Sequence, residues 1–145
     1  MKISTKGRYA IRMMIDIAQN SRDGNVSLKD VADRQGISLK YLEQIVIMLS
    51  RAGLLRSQRG AQGGYRLVRE PDQYSVGEIL RITEGSMAPV ACLENELNDC
   101  PRVDFCPTIK LWTGLYKTMI EYLDSVTIAD LLNDSSESDM SCRDI

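Results

Sequence analysis

Four cysteines and no histidine define the site chemistry open to this chain of 145 residues. Cys92, Cys100 and Cys106 share one polar stretch at the spacing C-x7-C-x5-C, with Glu94, Glu96, Asp99 and Asp104 among them, while Cys142 stands alone near the C-terminus. Cysteines that merely fill a core are spread through apolar segments, so three grouped in a polar loop read as a soft-metal site. Thiolates suit zinc or an iron–sulfur cluster. Neither C-x-x-C nor a histidine completes the usual structural zinc pattern, and spacing alone leaves the metal open, with redox-active or incidental cysteines as the other reading. The missing histidine excludes imidazole ligation, His-based acid–base catalysis and Ser-His-Asp triads. The missing C-x-x-C beside a βαβ pattern argues against a dithiol oxidoreductase.

A second chemistry lies in the charge distribution. The formal net charge is only −2, but residues 1–70 hold 13 Lys/Arg against 6 Asp/Glu, a net of +7, whereas residues 71–145 hold 5 against 14, a net of −9. A basic half joined to an acidic half fits a nucleic-acid reader with a separate sensing or assembly segment. The hydrophobic fraction of 43% and charged fraction of 26% are those of a globular chain. No apolar run approaches the roughly 18 residues that a membrane span needs, and Arg8, Arg12 and Asp16 interrupt any signal-like segment. The expected location is the cytoplasm.

The elements that would position these residues can be read from periodicity. Ala10, Met13, Met14, Ile17 and Ala18 predict an amphipathic helix over 6–20. Ser27 with Asp30 caps a short second helix, Gly36 breaks it, and Ser38 caps a third helix with Leu42, Ile45, Val46 and Leu49 as its apolar row up to Gly53. That is a helix-turn-helix pattern. Strand-like runs at 54–57 and 65–69 flank Gln58-Arg59-Gly60-Ala61-Gln62-Gly63-Gly64, a basic, glycine-rich hairpin of the kind that forms a wing. A winged helix places its third helix in the major groove and its wing on the adjacent backbone or minor groove.

Beyond the wing, Ser75 and Glu78 predict a capping box for a short helix ending at Gly85. Residues 86–107 read as an irregular loop. From Thr108 the row Ile109, Trp112, Leu115 or Tyr116, Met119, and Tyr122 or Leu123 predicts a long helix that buries one face against its own domain or against a copy of itself. Thr127 and Asp130 cap a last short helix. The expected fold is therefore mainly α with a small β hairpin: a winged helix-turn-helix domain over 1–85, a cysteine loop over 86–107, a dimerisation helix and short C-terminal helix over 108–133, and a disordered tail over 134–145.

Three runs carry a family resemblance: Lys2-Ile3-Ser4-Thr5-Lys6-Gly7-Arg8-Tyr9-Ala10, Gln35-Gly36-Ile37-Ser38-Leu39-Lys40-Tyr41-Leu42-Glu43-Gln44, and Arg59-Gly60-Ala61-Gln62-Gly63-Gly64-Tyr65. Together with the three-cysteine loop, Leu111-Trp112 and Thr127-Ile128-Ala129-Asp130-Leu131, the chain from Met1 to about Asn133 strongly resembles the IscR-type regulators. These belong to the Rrf group of bacterial winged-helix transcription factors. The resemblance implies a homodimer, not an enzyme and without a small-molecule substrate, that binds palindromic double-stranded operator DNA. It also implies one iron–sulfur cluster per subunit, of the 2Fe-2S type, that tunes DNA binding to cluster status, iron or redox signals. The same group holds the metal-free regulator of cysteine metabolism CymR, controlled by a partner protein, and the nitric-oxide sensor NsrR, which imply the alternative functions.

Carried onto this chain, the pattern makes Cys92, Cys100 and Cys106 the cluster thiolates. The histidine that IscR proteins usually place three residues after the third cysteine falls on Ile109, and the N-terminal acidic residue of NsrR-like relatives falls on Arg8. The fourth ligand is thus left open among a loop carboxylate, Cys142, a partner-chain group and an exogenous ligand. The first two cysteines also stand further apart than is common in IscR. For DNA, the resemblance points to helix three and the wing, where Gln44 can read adenine, Glu43 can accept from cytosine, and Arg59 can enter the minor groove or pair with guanine. Ser38, Lys40 and Tyr41 would hold phosphates. Family members commonly carry a small polar residue where this chain has Lys40.

Overall fold

The computed structural model describes residues 2–137. Six helices and one hairpin follow in the order α1 (Thr5–Asn20), α2 (Leu28–Gln35), α3 (Leu39–Arg51), β1 (Leu55–Gln58), β2 (Gly64–Leu67), α4 (Val76–Glu84), α5 (Ile109–Ser125) and α6 (Ile128–Glu137). Single turns of 3-10 helix lie at Pro71–Gln73, Ala91–Leu93 and Val103–Phe105. The predicted mainly helical architecture with one hairpin is the observed one.

Side-chain caps start the helices. Ser4, Ser27, Ser38 and Ser75 each accept from the backbone N–H three residues on, and Thr127 and Asp130 exchange both bonds of a capping box. The box expected at Ser75 is only half formed, because the Glu78 carboxylate turns away to pair with Arg69 at 2.8 Å. A guanidinium outcompetes a neutral backbone donor. Helix α2 stops at Gly36, whose left-handed φ of 64° suits a residue without Cβ.

Helix α1 supplies the centre of the core. Ala10, Met13, Met14 and Ile17 are fully buried among Val31, Leu42, Ile45, Leu49, Tyr74, Ile79 and Ile128. Buried Asp16 on the same helix accepts a forked pair of bonds from Arg34, with Gln35 and Asn20 also donating to it. This ties α1 to α2. A second, smaller cluster of Val76, Leu80 and Met87 packs against Tyr116, Met119, Ile120 and Leu123 of α5. The apolar row expected along α5 is therefore split: Tyr116, Met119 and Leu123 face their own domain, whereas Leu115 and Tyr122 are exposed, as is Leu111 outside that row. A helix with apolar residues on two sides satisfies one of them inside the chain. Helix α6 continues to Glu137, past the expected end at 133, and the remaining part of the expected tail, with Cys142, lies outside the described residues.

The wing is a preformed element. In the antiparallel register Leu55 opposes Leu67 and Arg56 opposes Arg66, and Val26 joins the other edge of β2 through two 2.8 Å bonds with Tyr65. The base of the hairpin is pinned by Tyr74, whose hydroxyl donates to Leu54 O at 2.8 Å and accepts from the N–H groups of Val68 and Arg69 at 2.8 and 2.9 Å. Tyr74→Phe keeps the ring but leaves Arg69 N–H without this acceptor and leaves Val68 N–H and Leu54 O with only their long mutual bond of 3.4 Å. It should lower unfolding stability by about 2 kcal/mol in a denaturant titration; an unchanged midpoint would show that the hydroxyl does not hold the wing.

Candidate nucleic-acid interface and cysteine segment

Helix α3 buries one row, Leu42, Ile45, Val46 and Leu49, and turns another to solvent. The exposed row contains Lys40, Glu43 and Gln44, three of the expected DNA-reading residues. Ser38 is exposed at the N-cap, where its Oγ accepts from Tyr41 N at 3.2 Å, so it both caps the helix and borders the same surface. Tyr41 is half-buried and meets Tyr9 edge-on at 5.7 Å, while Arg12 lies over the Tyr9 ring. Its ring packs on α1.

Sequence reasoning missed Ile47. Its side chain is 48% exposed, in line with Lys40, Glu43 and Gln44. An exposed β-branched residue on that row suits contact with a thymine methyl. The signal was present: in the run Ile45-Val46-Ile47-Met48-Leu49 the buried row takes only positions 45, 46 and 49.

Arg59 sits at the hairpin tip, exposed. The tip is closed by a 2.9 Å bond from Gly63 N to Gly60 O, and Gly60 and Gly64 take positive φ of 112° and 148°. Gly64 is required twice over, since a Cβ there would come within 2.4 Å of Val26 O. Asn25 reaches across from the α1–α2 connection and donates to Gln58 Oε1 at 2.8 Å and Gln62 O at 3.2 Å, on either side of the tip. The wing is thereby held to the body of the domain on both flanks of Arg59.

Cys92, Cys100 and Cys106 lie on one segment between α4 and α5, half-buried and in no disulfide. Cys92 is in the turn Ala91–Leu93, the Cys100 N–H donates to Asn98 Oδ1 at 3.0 Å, and Cys106 closes the turn Val103–Phe105. Among the described residues no three Cys, Asp or Glu side chains converge into a metal-sized group. The turns of this segment are closed by local i to i+3 bonds from the N–H groups of Leu93, Glu94, Val103, Phe105 and Cys106, and among the described residues no bond joins the three thiols. The donor set itself suits a soft iron–sulfur centre and leaves it one ligand short. Ile109 occupies the first turn of α5, and Arg8, facing solvent, bonds Thr5 Oγ1, so neither position supplies a donor to iron.

Relatives place this arrangement. A model of the Rrf2 family, described as iron-dependent transcriptional regulators, matches residues 3–134. The chain belongs to the Rrf2 family. It is 42% identical over 136 residues to protein rrf2 of Nitratidesulfovibrio vulgaris, covering 94% of this chain and 90% of that protein. It is 44% identical over 131 residues to the HTH-type transcriptional regulator CymR of Bacillus subtilis, covering 90% and 89%. The solved structure of T. potens IscR superposes with a TM-score of 0.77 at 45% identity, covering 97% of this chain and 93% of that one. As an Rrf2-family member the chain is a DNA-binding transcriptional regulator and not an enzyme. Among the described residues no helix is long and apolar enough to cross a membrane.

Within this Rrf2-family chain one thiol is set apart electrostatically. Hydrogen bonding to Thr108, whose Oγ1 lies 3.5 Å from Cys106 Sγ, holds the Cys106 thiol below the usual range for a cysteine, and the charge of Arg102 acts in the same direction. A depressed value means that the thiolate persists at lower pH. Iodoacetamide should therefore alkylate Cys106 of the reduced protein at a pH where a model thiol is still slow, and Thr108→Val should move the pH–rate curve upward. A curve identical to that of the model thiol would refute this.

Proposed function

We propose that this Rrf2-family regulator acts in the cytoplasm as a homodimer on palindromic duplex operators. Helix α3 enters the major groove and the wing reaches the neighbouring backbone and minor groove. The observation that carries this reading is the exposed row of α3, Lys40, Glu43, Gln44 and Ile47, opposite a buried row and beside a wing tethered on both sides of an exposed arginine. Gln44 pairs with adenine, Glu43 with cytosine, Ile47 with a thymine methyl, and Arg59 with the minor groove or a guanine. Ser38, Lys40 and Tyr41 hold phosphates and set the register. The exposed seam of Leu111, Leu115 and Tyr122 on α5, 61%, 42% and 67% accessible, is the face offered to a second copy.

Cys92, Cys100 and Cys106 would hold one iron–sulfur cluster per subunit, of the 2Fe-2S type, whose bonds to sulfur supply a response to iron supply and redox state. The chain's own contribution is the placement of three thiols between α4 and α5, so that ordering the segment bears on both helices. The 44% identity to CymR of Bacillus subtilis supports a second reading, a metal-free regulator similar to CymR, in which a partner protein replaces the cluster as input.

In fluorescence anisotropy with a duplex selected from random sequence, affinity should fall with salt at a log–log slope of about −0.9 per phosphate neutralised. Gln44→Ala should weaken binding by about 1–3 kcal/mol at the matching base pair and erase the preference there. A salt-independent affinity would contradict the assignment of this surface. For the cluster, protein purified without oxygen should show visible absorption that Cys92→Ala, Cys100→Ala or Cys106→Ala abolishes. Colourless protein after reconstitution with iron and sulfide would select the metal-free reading.

A further inference from the structure

The outer face of the wing carries a pairing that folding alone disfavours. Arg56 and Arg66 are direct cross-strand partners. Tyr65 directs its N–H and C=O to Val26, so the groups of Arg66 turn toward β1 and the arginines form a hydrogen-bonded pair, with Cα atoms about 5.5 Å apart. Directly opposed residues share a face, and because Leu55 is buried beside them on the inner face, both guanidinium groups point outward and are exposed. Like charges at this position destabilise a hairpin. Asp23, Asp30 and Glu70 line the clefts that Arg66 borders, yet among the described residues neither arginine has an ion pair or a side-chain hydrogen bond.

Two unpaired guanidinium groups on one strand pair, about 10 Å behind the Arg59 tip of the same hairpin at 3.3 Å per residue, offer a fork for an anion. We propose that Arg56 and Arg66 grip the sugar–phosphate backbone of the duplex flanking the bases read by α3, an interaction that adds affinity without sequence preference. The inference rests on the docking of α3 and the wing given above. Phosphate between the two forks removes their repulsion, so the pair costs stability in the free protein and returns it on binding.

The test compares wild type, Arg56→Gln, Arg66→Gln, the double variant and Arg56→Lys, each checked by thermal melting. The glutamine variants should melt no lower than wild type. Their affinity for selected and for random duplex should fall by the same factor, so that the ratio of the two is unchanged. The salt slope should flatten by about 0.9 for each phosphate no longer neutralised, hence by about 1.8 in a dimer for the double variant, since the two forks of each subunit share one phosphate. Arg56→Lys should retain most of the slope. Affinity and slope equal to wild type would overturn the proposal, as would a changed base preference, or a lowered melting point with an unchanged slope. Stabilisation by inorganic phosphate that the double variant loses while DNA affinity stays intact would assign the pair to a free anion and overturn it as well. Wild-type protein that binds no duplex would overturn the docking itself, which separates that failure from one confined to the two arginines.

Discussion

The buried side chain of Tyr74 sits where the wing meets the core and reinforces the direct bond from Val68 N to Leu54 O at the base of the hairpin. Its hydroxyl holds the α3–β1 turn through Leu54 and the end of β2 through Val68 and Arg69, and its carbonyl accepts from Ile128 at the start of α6. Arg69 lies over the ring and continues to Glu78 on α4. A hairpin of two four-residue strands is marginal by itself. Anchored in this way, and joined at its other edge by Val26, it becomes a prong with a set direction, and the recognition helix and the wing can meet DNA as one body.

The same connectivity brings the cysteine segment into mechanical contact with the DNA-reading half. Glu84, two residues before the segment at Ser86, accepts from both the N–H and the hydroxyl of Ser4 at the start of α1. Gly7 makes room for that carboxylate, since a Cβ would sit 2.2 Å from Glu84 Oε1. At the far end the segment runs into α5, which is fastened to α4 by Arg81 and Asp124. The two ends of the segment are thus flanked by elements fixed to the start of α1 and to α4. Such a segment is a reasonable place for an input, because it is held at its ends and satisfied only locally between them.

Much of this is legible in the sequence because it follows from short-range rules. Serine caps, the break at Gly36 and the apolar row of α3 are local, and they position Ser38, Lys40, Glu43 and Gln44 without tertiary information. The bonds from Ser4 to Glu84 and from Tyr74 to Leu54 are not legible, since these partners lie 80 and 20 residues apart. The α5 row reads as one face because a heptad pattern does not say which side meets the chain's own α4. Glu78 reads as a capping residue because its competitor, Arg69, comes close only when the wing base folds back. The cysteines show the same limit more sharply, for spacing names the donors but not whether the chain brings them together.

The central claim is that two copies of this chain present two recognition helices and two wings to one duplex. Hydroxyl-radical and methylation footprinting of a selected operator tests it most directly. Two symmetric patches of major-groove protection are expected, their centres one helical turn, about 10–10.5 base pairs, or a whole multiple of it apart, each flanked by backbone protection from a wing. A single unsymmetrical patch, or protection confined to the minor groove, would contradict it.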